Sequence, residues 1–175
     1  MKKHNGMRPQ DVVILLKILS CENHSWTFAD IALSLQISAS EVSEAMERNR
    51  LAGLVNPTKN QVNKLALREF LISGLKYVFP PQLGHSTRGI ATAHSASPVS
   101  NYITEGRENY VWAFYKGTRT GNSIVPLYSK IPKFIESDKE LYEYLTIIDT
   151  FRVGKKREIE IAVTELDKKL NLYGK

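Results

Sequence analysis

The sequence predicts a mainly helical α+β fold with a few short strands. Three observations lead to this prediction. Apolar residues recur at helical spacing in several segments, and three of these segments begin with Ser or Thr followed by an acid three residues later. Short apolar runs flanked by turn residues lie between the helices. We expect an N-terminal helical unit with a small hairpin, followed by a smaller C-terminal region of one hairpin and two helices.

The composition is that of a folded protein. Of the 175 residues, 42% are hydrophobic and 24% are charged. The longest apolar run, Val12 to Leu16, is too short to span a bilayer, and no signal-peptide apolar region follows Met1. The single cysteine, Cys21, cannot form an intramolecular disulfide. We therefore expect a cytoplasmic protein with no membrane partner.

The net charge of +6 is divided equally between residues 1–79 and residues 80–175. The first part has ten Lys or Arg and seven Asp or Glu, and the second has fourteen and eleven. A moderately basic surface is compatible with nucleic acid, because Lys and Arg displace counterions from phosphates. Many proteins that do not bind nucleic acid have a similar charge, so this observation alone does not assign a function.

Two short helices joined by a tight turn are predicted after a longer first helix. The first helix begins at Arg8-Pro9, since proline is tolerated at the first helical position. Thr27 with Asp30, and Ser38 with Glu41, are capping pairs that start the second and third helices. The residues expected to face inward are Val12, Leu15, Leu16, Leu19, Ile31, Ala32, Leu35, Val42, Ala45, Met46 and Leu51. This order is typical of a helix-turn-helix.

A small hairpin and a further helix are predicted next. Leu54-Val55 and Gln61-Val62 have strand character and flank Asn56 to Asn60, a run with strong turn chemistry. The helix begins at Asn63 and ends before Pro80-Pro81. The residues spaced for burial on it are Leu67, Leu71, Leu75 and Val78. These elements complete a unit at residues 1–79.

Residues 80–109 are predicted to form a long loop or linker. Gln82 to Ser100 is rich in Gly, Ser, Thr, Ala and His, and it has no clear apolar period. A C-terminal region at residues 110–175 follows. Its predicted hairpin pairs Tyr110 to Tyr115 with Ile124 to Leu127.

Two helices complete the predicted C-terminal region. Ser137 with Glu140 marks the start of the first, and the second follows the break at Gly154. Their apolar faces are formed by Leu141, Leu145, Ile148, Ile159, Val163, Leu166 and Leu170. We expect this region to serve dimerisation or sensing.

Three runs in the first unit point to a known family. They are Thr27 to Ala32, Ile37 to Ser43, and Arg50 to Val55. They resemble the bacterial winged helix-turn-helix regulators of the MarR type, over residues 8–79 only. The matching positions are Ala32, Ser38, Ser40, Ser43, Leu51, Gly53, Leu54 and Val55. The resemblance implies a DNA-binding transcriptional regulator, with helix 39–50 in the major groove and the wing at residues 55–62 on the backbone.

The expected DNA contacts lie on the third helix and at the wing. Serine hydroxyls can donate to phosphates or reach base edges, while cations and amides can bind the backbone. For each residue the alternative is purely structural: a cap at Ser38, a solvated cation at Arg48, and turn formation at the wing tip. The candidate residues are Ser38, Ser40, Ser43, Glu44, Arg48, Thr58, Lys59 and Asn60.

The acidic character of the third helix leaves a second hypothesis open. Glu41, Glu44 and Glu47 recur every three residues, and acids are repelled by phosphate. A carboxylate gains only from a cytosine amino group or by orienting a neighbouring arginine. The alternative is therefore a protein–protein interaction adaptor, in which this domain does not contact DNA.

Enzymatic, metal and ligand sites have little support in the sequence. His85 and His94 match no metal-ligand spacing, and no acid, base and nucleophile set can be assembled around them. An aromatic group is more typical of a core than of a ligand pocket; its members are Tyr110, Trp112, Phe114 and Tyr115. We expect no catalysis, no cofactor and no metal.

A basic cluster lies before the last helix, where the helix dipole disfavours cations. Its members are Arg152, Lys155, Lys156 and Arg157. The cluster indicates either an anionic partner or a solvated turn balanced by nearby acids. Double-stranded DNA and a second copy of the chain are the expected partners, and the C-terminal region is a further candidate surface for a protein partner.

Overall fold

The computed structural model describes residues 6–21, 24–104 and 108–172, so residues 105–107 of the predicted linker lie outside it. The described chain is mainly helical with one three-stranded sheet, as the sequence predicts. Helices α1 (Pro9–Ser20), α2 (Phe28–Leu35) and α3 (Ala39–Leu51) come first. The predicted capping boxes at Thr27 and Ser38 are both present. Local capping chemistry therefore sets where α2 and α3 begin.

A short hairpin and a continuous helical stretch follow α3. The hairpin consists of one antiparallel pair, Val55 with Val62. Helix α4 (Lys64–Glu69) continues through a π-helical turn (Phe70–Gly74) into α5 (Leu75–Val78). The predicted burial of Leu67, Leu71 and Leu75 is confirmed.

Two residues of the predicted apolar faces are exposed. Leu51 is 63% exposed and Val78 is 52% exposed, so the prediction that they are buried was wrong. Each is the last residue of its helix. Helical spacing alone extended the apolar face one residue beyond the part of each helix that packs on the core.

The three strands are β1 (Leu83–Thr92), β2 (Tyr110–Ala113) and β3 (Arg119–Ile124), and they close into a small barrel. Strand β1 pairs antiparallel with both of the others, and Gly89 is opposite Ala113 on β2 and Arg119 on β3. Strands β2 and β3 are parallel where they meet. Gly89 is therefore a position at which β1 is paired with both β2 and β3.

Two strand predictions were wrong, and glycine explains part of the error. Residues 82–100 do not form a long loop, since the whole of β1 lies there, and residues 110–115 and 124–127 do not form a hairpin. A Cβ atom at Gly89 would lie 2.1 Å from the Trp112 carbonyl oxygen, and one at Gly117 would lie 2.1 Å from the Gly89 backbone. These glycines allow close backbone approach inside the barrel, a role that composition does not distinguish from turn formation.

Helices α6 (Ile131–Phe134), α7 (Lys139–Val153) and α8 (Lys156–Leu170) complete the fold. Both long C-terminal helices are confirmed, although Asp138 and not Ser137 caps α7. Buried apolar side chains of α1 to α5, the sheet, α7 and α8 belong to one contiguous cluster. The predicted boundary after residue 79 thus separates two parts of a shared core, and the ion pair Lys17–Asp138 joins α1 to α7 across it.

Candidate nucleic-acid interface

The turn between α2 and α3 is tight and is closed by backbone and capping hydrogen bonds. Gln36 is in the left-handed region with φ 55°, and the Ile37 amide donates to the Ala32 carbonyl at 3.0 Å. The Ser38 hydroxyl accepts from the Glu41 amide at 3.1 Å. The Glu41 carboxylate accepts from the Ser38 amide in return, and this hydrogen bonding holds the pKa of Glu41 below its ordinary value. The Ser38 hydroxyl and the Glu41 carboxylate are thus engaged in capping.

The outer face of α3 consists of small polar and acidic side chains. Ser40, Ser43 and Glu44 are exposed, whereas Val42, Ala45 and Met46 on the opposite side are fully buried. The predicted inward positions Val42, Ala45 and Met46 are therefore confirmed, and the candidate contact residues Ser40, Ser43 and Glu44 lie on the solvent side of α3. Small side chains on an exposed helix allow its backbone to approach another surface closely.

Arg48 points inward. Its Nε and one terminal nitrogen each donate to the Asp11 carboxylate at 2.7 Å, and the Asp11 side chain is fully buried. A further nitrogen lies 3.8 Å from Glu44 Oε2. The Arg48 side chain is 12% exposed, so its guanidinium is committed to an ion pair between α1 and α3 and is not presented to solvent as a phosphate contact would be.

Glu47 joins α3 to the hairpin tip. Its carboxylate forms ion pairs with Arg50 at 2.6 Å and with Lys59 at 2.8 Å. Hydrogen bonds from Arg50 and then from Lys59 lower the pKa of Glu47 to about 2, so the carboxylate remains ionised at neutral pH. In this arrangement one acid neutralises the two cations nearest the outer face of α3.

The other polar residues at the hairpin tip build the turn. The Asn56 side-chain oxygen accepts from the amides of Asn60 and Gln61 at 3.0 and 3.2 Å. The Asn60 side-chain oxygen accepts from the Thr58 hydroxyl at 2.9 Å and from the Asn56 amide group at 2.6 Å. Thr58 and Asn60 are exposed, and their side-chain oxygens hold the loop that presents Lys59.

Sequence reasoning missed two residues that contact the turn from the C-terminal half of the chain. The Lys130 ammonium donates to the Gln36 carbonyl at 2.6 Å, and the Tyr128 hydroxyl donates to the same oxygen at 3.4 Å. Both residues follow β3, more than ninety positions after Gln36. No periodicity or motif relates positions this distant, so the sequence held no signal for this contact.

The two histidines do not meet. His85 is exposed on β1, while His94 lies beyond the other end of that strand, with Nδ1 at 3.5 Å from Glu158 and Nε2 at 3.1 Å from the Glu108 carbonyl. Within the described residues, no group of three or more His, Cys, Asp or Glu is arranged to hold a metal ion.

The predicted basic cluster is divided between the core and the surface. Arg152 is buried and forms an ion pair with Asp149 at 2.7 Å, whereas Lys155, Lys156 and Arg157 are exposed. Trp112, from the predicted aromatic group, is also buried, and its indole donates to Asp149 at 2.8 Å. The hypothesis that Arg152 contacts an anionic partner is therefore wrong, because its charge is used inside the protein.

Comparisons of the chain with family models, with curated proteins and with solved structures found no match. None of the helices in the described ranges is both long and apolar enough to cross a membrane.

Proposed function

We propose that the protein is a DNA-binding transcriptional regulator of the winged helix-turn-helix type. Helix α3 enters the major groove, and the hairpin at residues 55–62 contacts the backbone. The observation that carries the proposal is the outer face of α3, where Ser40 and Ser43 are exposed beside a tight, capped turn. With 13 residues, α3 is about 20 Å long at 1.5 Å per residue, a length that suits a recognition helix.

The proposed contacts divide into base readout and phosphate binding. Ser40 and Ser43 reach base edges, since their hydroxyls both donate and accept. Glu44 accepts from a cytosine amino group, which is the base donor that suits a carboxylate. Lys59 at the hairpin tip contacts phosphate after exchanging its ion pair with Glu47, while Ser38 and Asn60 position the turns.

The regulator acts in the cytoplasm as a homodimer, so that two copies of α3 meet successive major grooves on one face of the duplex. The C-terminal region provides the dimer contact or senses a signal. Lys130 and Tyr128 give that region a direct connection to the turn before α3. The proposal involves no catalysis and no cofactor.

A salt-titrated binding assay on random-sequence duplex DNA tests the proposal. We expect the logarithm of the affinity to fall linearly with the logarithm of the salt concentration. Lys59→Ala reduces that slope by about 1, the value for one lost phosphate contact. Lys139→Ala is the matched control, because Lys139 is an 84% exposed lysine on α7, outside α3 and the hairpin. Undetectable binding at low salt contradicts the proposal.

Glu47→Gln provides a test in the opposite direction. The substitution removes an acid from the proposed interface and releases Arg50 and Lys59 from their ion pairs. We expect tighter DNA binding and a salt slope steeper by about 1 to 2. Weaker or unchanged binding contradicts the placement of this face against DNA.

Base readout is tested separately by selection from a randomised duplex library with the native protein and with Ser40→Ala and Ser43→Ala. We expect these variants to change the sequence preference and to leave the salt slope unchanged.

A second candidate function is a protein-interaction adaptor. Two observations favour it: the cations nearest the outer face of α3 are ion-paired, and Leu33 on α2 and Leu51 on α3 are 82% and 63% exposed. Exposed leucines suit a protein partner better than a phosphate backbone. Absence of DNA binding by both the native protein and Glu47→Gln at low salt favours the adaptor.

A further inference from the structure

One cation beside the α2–α3 turn comes from the C-terminal half of the chain. The Lys130 ammonium donates to the Gln36 carbonyl oxygen at 2.6 Å, and the Tyr128 hydroxyl donates to the same oxygen at 3.4 Å. Gln36 directly follows α2 and is exposed, as are Ser38 and Ser40 after it. The Lys130 ammonium therefore lies at the surface where the proposed recognition helix begins.

The segment that carries Lys130 is fixed by the core. Lys130 directly precedes α6, whose first residue, Ile131, is fully buried. The Ile131 amide donates to the Tyr128 carbonyl at 3.1 Å, and the Lys133 amide donates to the Lys130 carbonyl at 2.9 Å. The hydrogen bond to Gln36 restricts the Lys130 side chain in turn. A lysine that is ordered before binding loses less conformational entropy when it binds.

The hydrogen bond to Gln36 uses only part of the capacity of the Lys130 ammonium. The Gln36 carbonyl lies at the C-terminal end of α2, where the helix dipole favours a cation. An ammonium group has three donors, and within the described residues this bond uses one of them. The contact is solvent-exposed, so the other two donors can bind an anion from outside the protein.

The other cations near α3 are already paired with acids. Arg48 forms its ion pair in the interior. Glu47 forms ion pairs with both Arg50 and Lys59. Each of these three cations must break an ion pair before it can bind phosphate. In the described part of the chain, by contrast, no carboxylate forms an ion pair with Lys130.

Glu41 is an acid close enough to be affected by the charge of Lys130. Hydrogen bonds from Ser38 are the main cause of the lowered pKa of Glu41, and the Lys130 charge contributes to a lesser extent. The Glu41 carboxylate accepts from the Ser38 amide and from the Ser38 hydroxyl, each at 3.1 Å. It is therefore engaged in the cap of α3 and does not neutralise Lys130 by direct contact.

We propose that Lys130 binds a phosphate of the DNA backbone at the start of α3, so that both halves of the chain contribute to the interface. This inference deepens the proposed function and rests on it for the identity of the anion. The Gln36 carbonyl holds the ammonium in place, and the phosphate accepts from its remaining donors. Such a contact releases a counterion and carries no sequence information, so it affects the salt dependence of binding and not the sequence preference.

Salt-titrated binding to random-sequence duplex DNA, with the native protein and three variants, tests the proposal. Lys130→Gln removes the charge, and Lys130→Arg preserves it. Lys139→Gln is the control, because it removes the charge of an 84% exposed lysine on α7. We expect Lys130→Gln to lower the salt slope by about 1 and the affinity about five- to tenfold at about 0.1 M salt. Lys130→Arg and Lys139→Gln keep the native slope.

A further variant separates the charge of Lys130 from the structure of the turn. Tyr128→Phe removes the other side-chain donor to the Gln36 carbonyl and leaves the net charge unchanged. We expect this variant to keep the native salt slope. Thermal unfolding followed by circular dichroism checks that all variants are folded, and the exposed position of the contact leads us to expect melting temperatures close to the native value. If Tyr128→Phe lowers the slope as much as Lys130→Gln, the loss comes from a disturbed turn and the proposal is overturned.

The remaining outcomes each decide the proposal. A native slope in Lys130→Gln overturns it, while the proposed function stands if the native protein binds DNA with the expected salt dependence. Equal loss in Lys130→Arg and Lys130→Gln shows that charge is not the cause, which also overturns it. A changed sequence preference in Lys130→Gln with a native slope assigns Lys130 to positioning α3 and overturns the phosphate contact. Undetectable binding by the native protein at low salt overturns both proposals.

The proposed roles of Lys130 and of α3 can fail separately. A lower salt slope in Lys130→Gln, with no change in sequence preference in Ser40→Ala and Ser43→Ala, supports the phosphate contact while the proposed base readout by α3 fails.

Discussion

Each half of the chain holds an arginine against a buried aspartate, and the two pairs differ in how they are enclosed. In the C-terminal half, the Asp149 carboxylate accepts from Arg152 at 2.7 Å, from Trp112 at 2.8 Å and from Thr92 at 2.9 Å. The Arg152 guanidinium also donates to backbone carbonyls, among them Phe79 at 3.1 Å. This pair joins α7 to β1, β2 and the end of α5.

The N-terminal pair is open at one side. Asp11 accepts from Arg48 and from the Arg8 amide at 2.9 Å, and Arg48 extends from the core towards Glu44 on the outer face of α3. Arg48 is 12% exposed, against 4% for the Arg152 side chain. Arg152 thus belongs entirely to the core, while Arg48 connects the core to the proposed interface.

Breaking the enclosed pair gives the largest expected effect. Asp149→Asn keeps the shape of the side chain and leaves the Arg152 charge buried without an acid. We expect a loss of about 3–5 kcal/mol in the free energy of unfolding, because a buried charge cannot be rehydrated. The melting temperature falls by roughly 6–20 °C, at about 2–4 °C per kcal/mol for a chain of this size. Chemical denaturation followed by tryptophan fluorescence measures the loss.

A double variant distinguishes the ion pair from general disturbance. Arg152→Gln in the Asp149→Asn background removes the stranded charge, so the double variant loses less stability than the sum of the two single variants. Additive losses contradict a direct pairing of the two groups. A loss below about 1 kcal/mol in Asp149→Asn alone contradicts the enclosed character of the site.

Breaking the open pair gives a smaller effect on stability and an added effect on binding. In Asp11→Asn, Arg48 can turn to water or to Glu44, so we expect a loss of about 1–3 kcal/mol in the free energy of unfolding. The same change adds positive charge beside α3 and steepens the salt slope of DNA binding. Glu160→Gln, at an exposed acid on α8, is the control. A loss in the free energy of unfolding as large as that of Asp149→Asn contradicts the view that the Asp11–Arg48 pair is the more open of the two.

The N-terminal half is predictable from the sequence because its signals are local. Thr27 with Asp30 and Ser38 with Glu41 are capping boxes three residues apart, and the structure forms both. The outward positions of Ser40 and Ser43 follow from helical spacing. The partner of Arg48, which is 37 residues away on α1, has no such local signal.

The sheet is less predictable because its determinants are distant in sequence. Most residues in the first half of β1 are exposed. This half therefore has no alternation of apolar and polar residues that would predict a strand. Gly89 and Gly117 are required by a backbone contact between residues 28 positions apart. The contact of Lys130 with Gln36 joins residues that are 94 positions apart. Composition predicts turns at Gly89 and Gly117. In the folded barrel Gly89 instead lies within β1, and Gly117 lies against its backbone.

The smallest predicted effect concerns Tyr142, which fastens α7 to β1 beside the enclosed pair. Its hydroxyl donates to the Ala91 carbonyl at 2.6 Å, and burial raises the pKa of Tyr142 to about 12. Because the unfolded chain releases this proton near the ordinary value of 10, unfolding is favoured as the pH rises from about 10 to 12. Tyr142→Phe loses about 1 kcal/mol at neutral pH and shows a weaker decline in stability over that alkaline range. Urea denaturation at pH 7 and at higher pH measures both, and an unchanged alkaline decline assigns it to other groups.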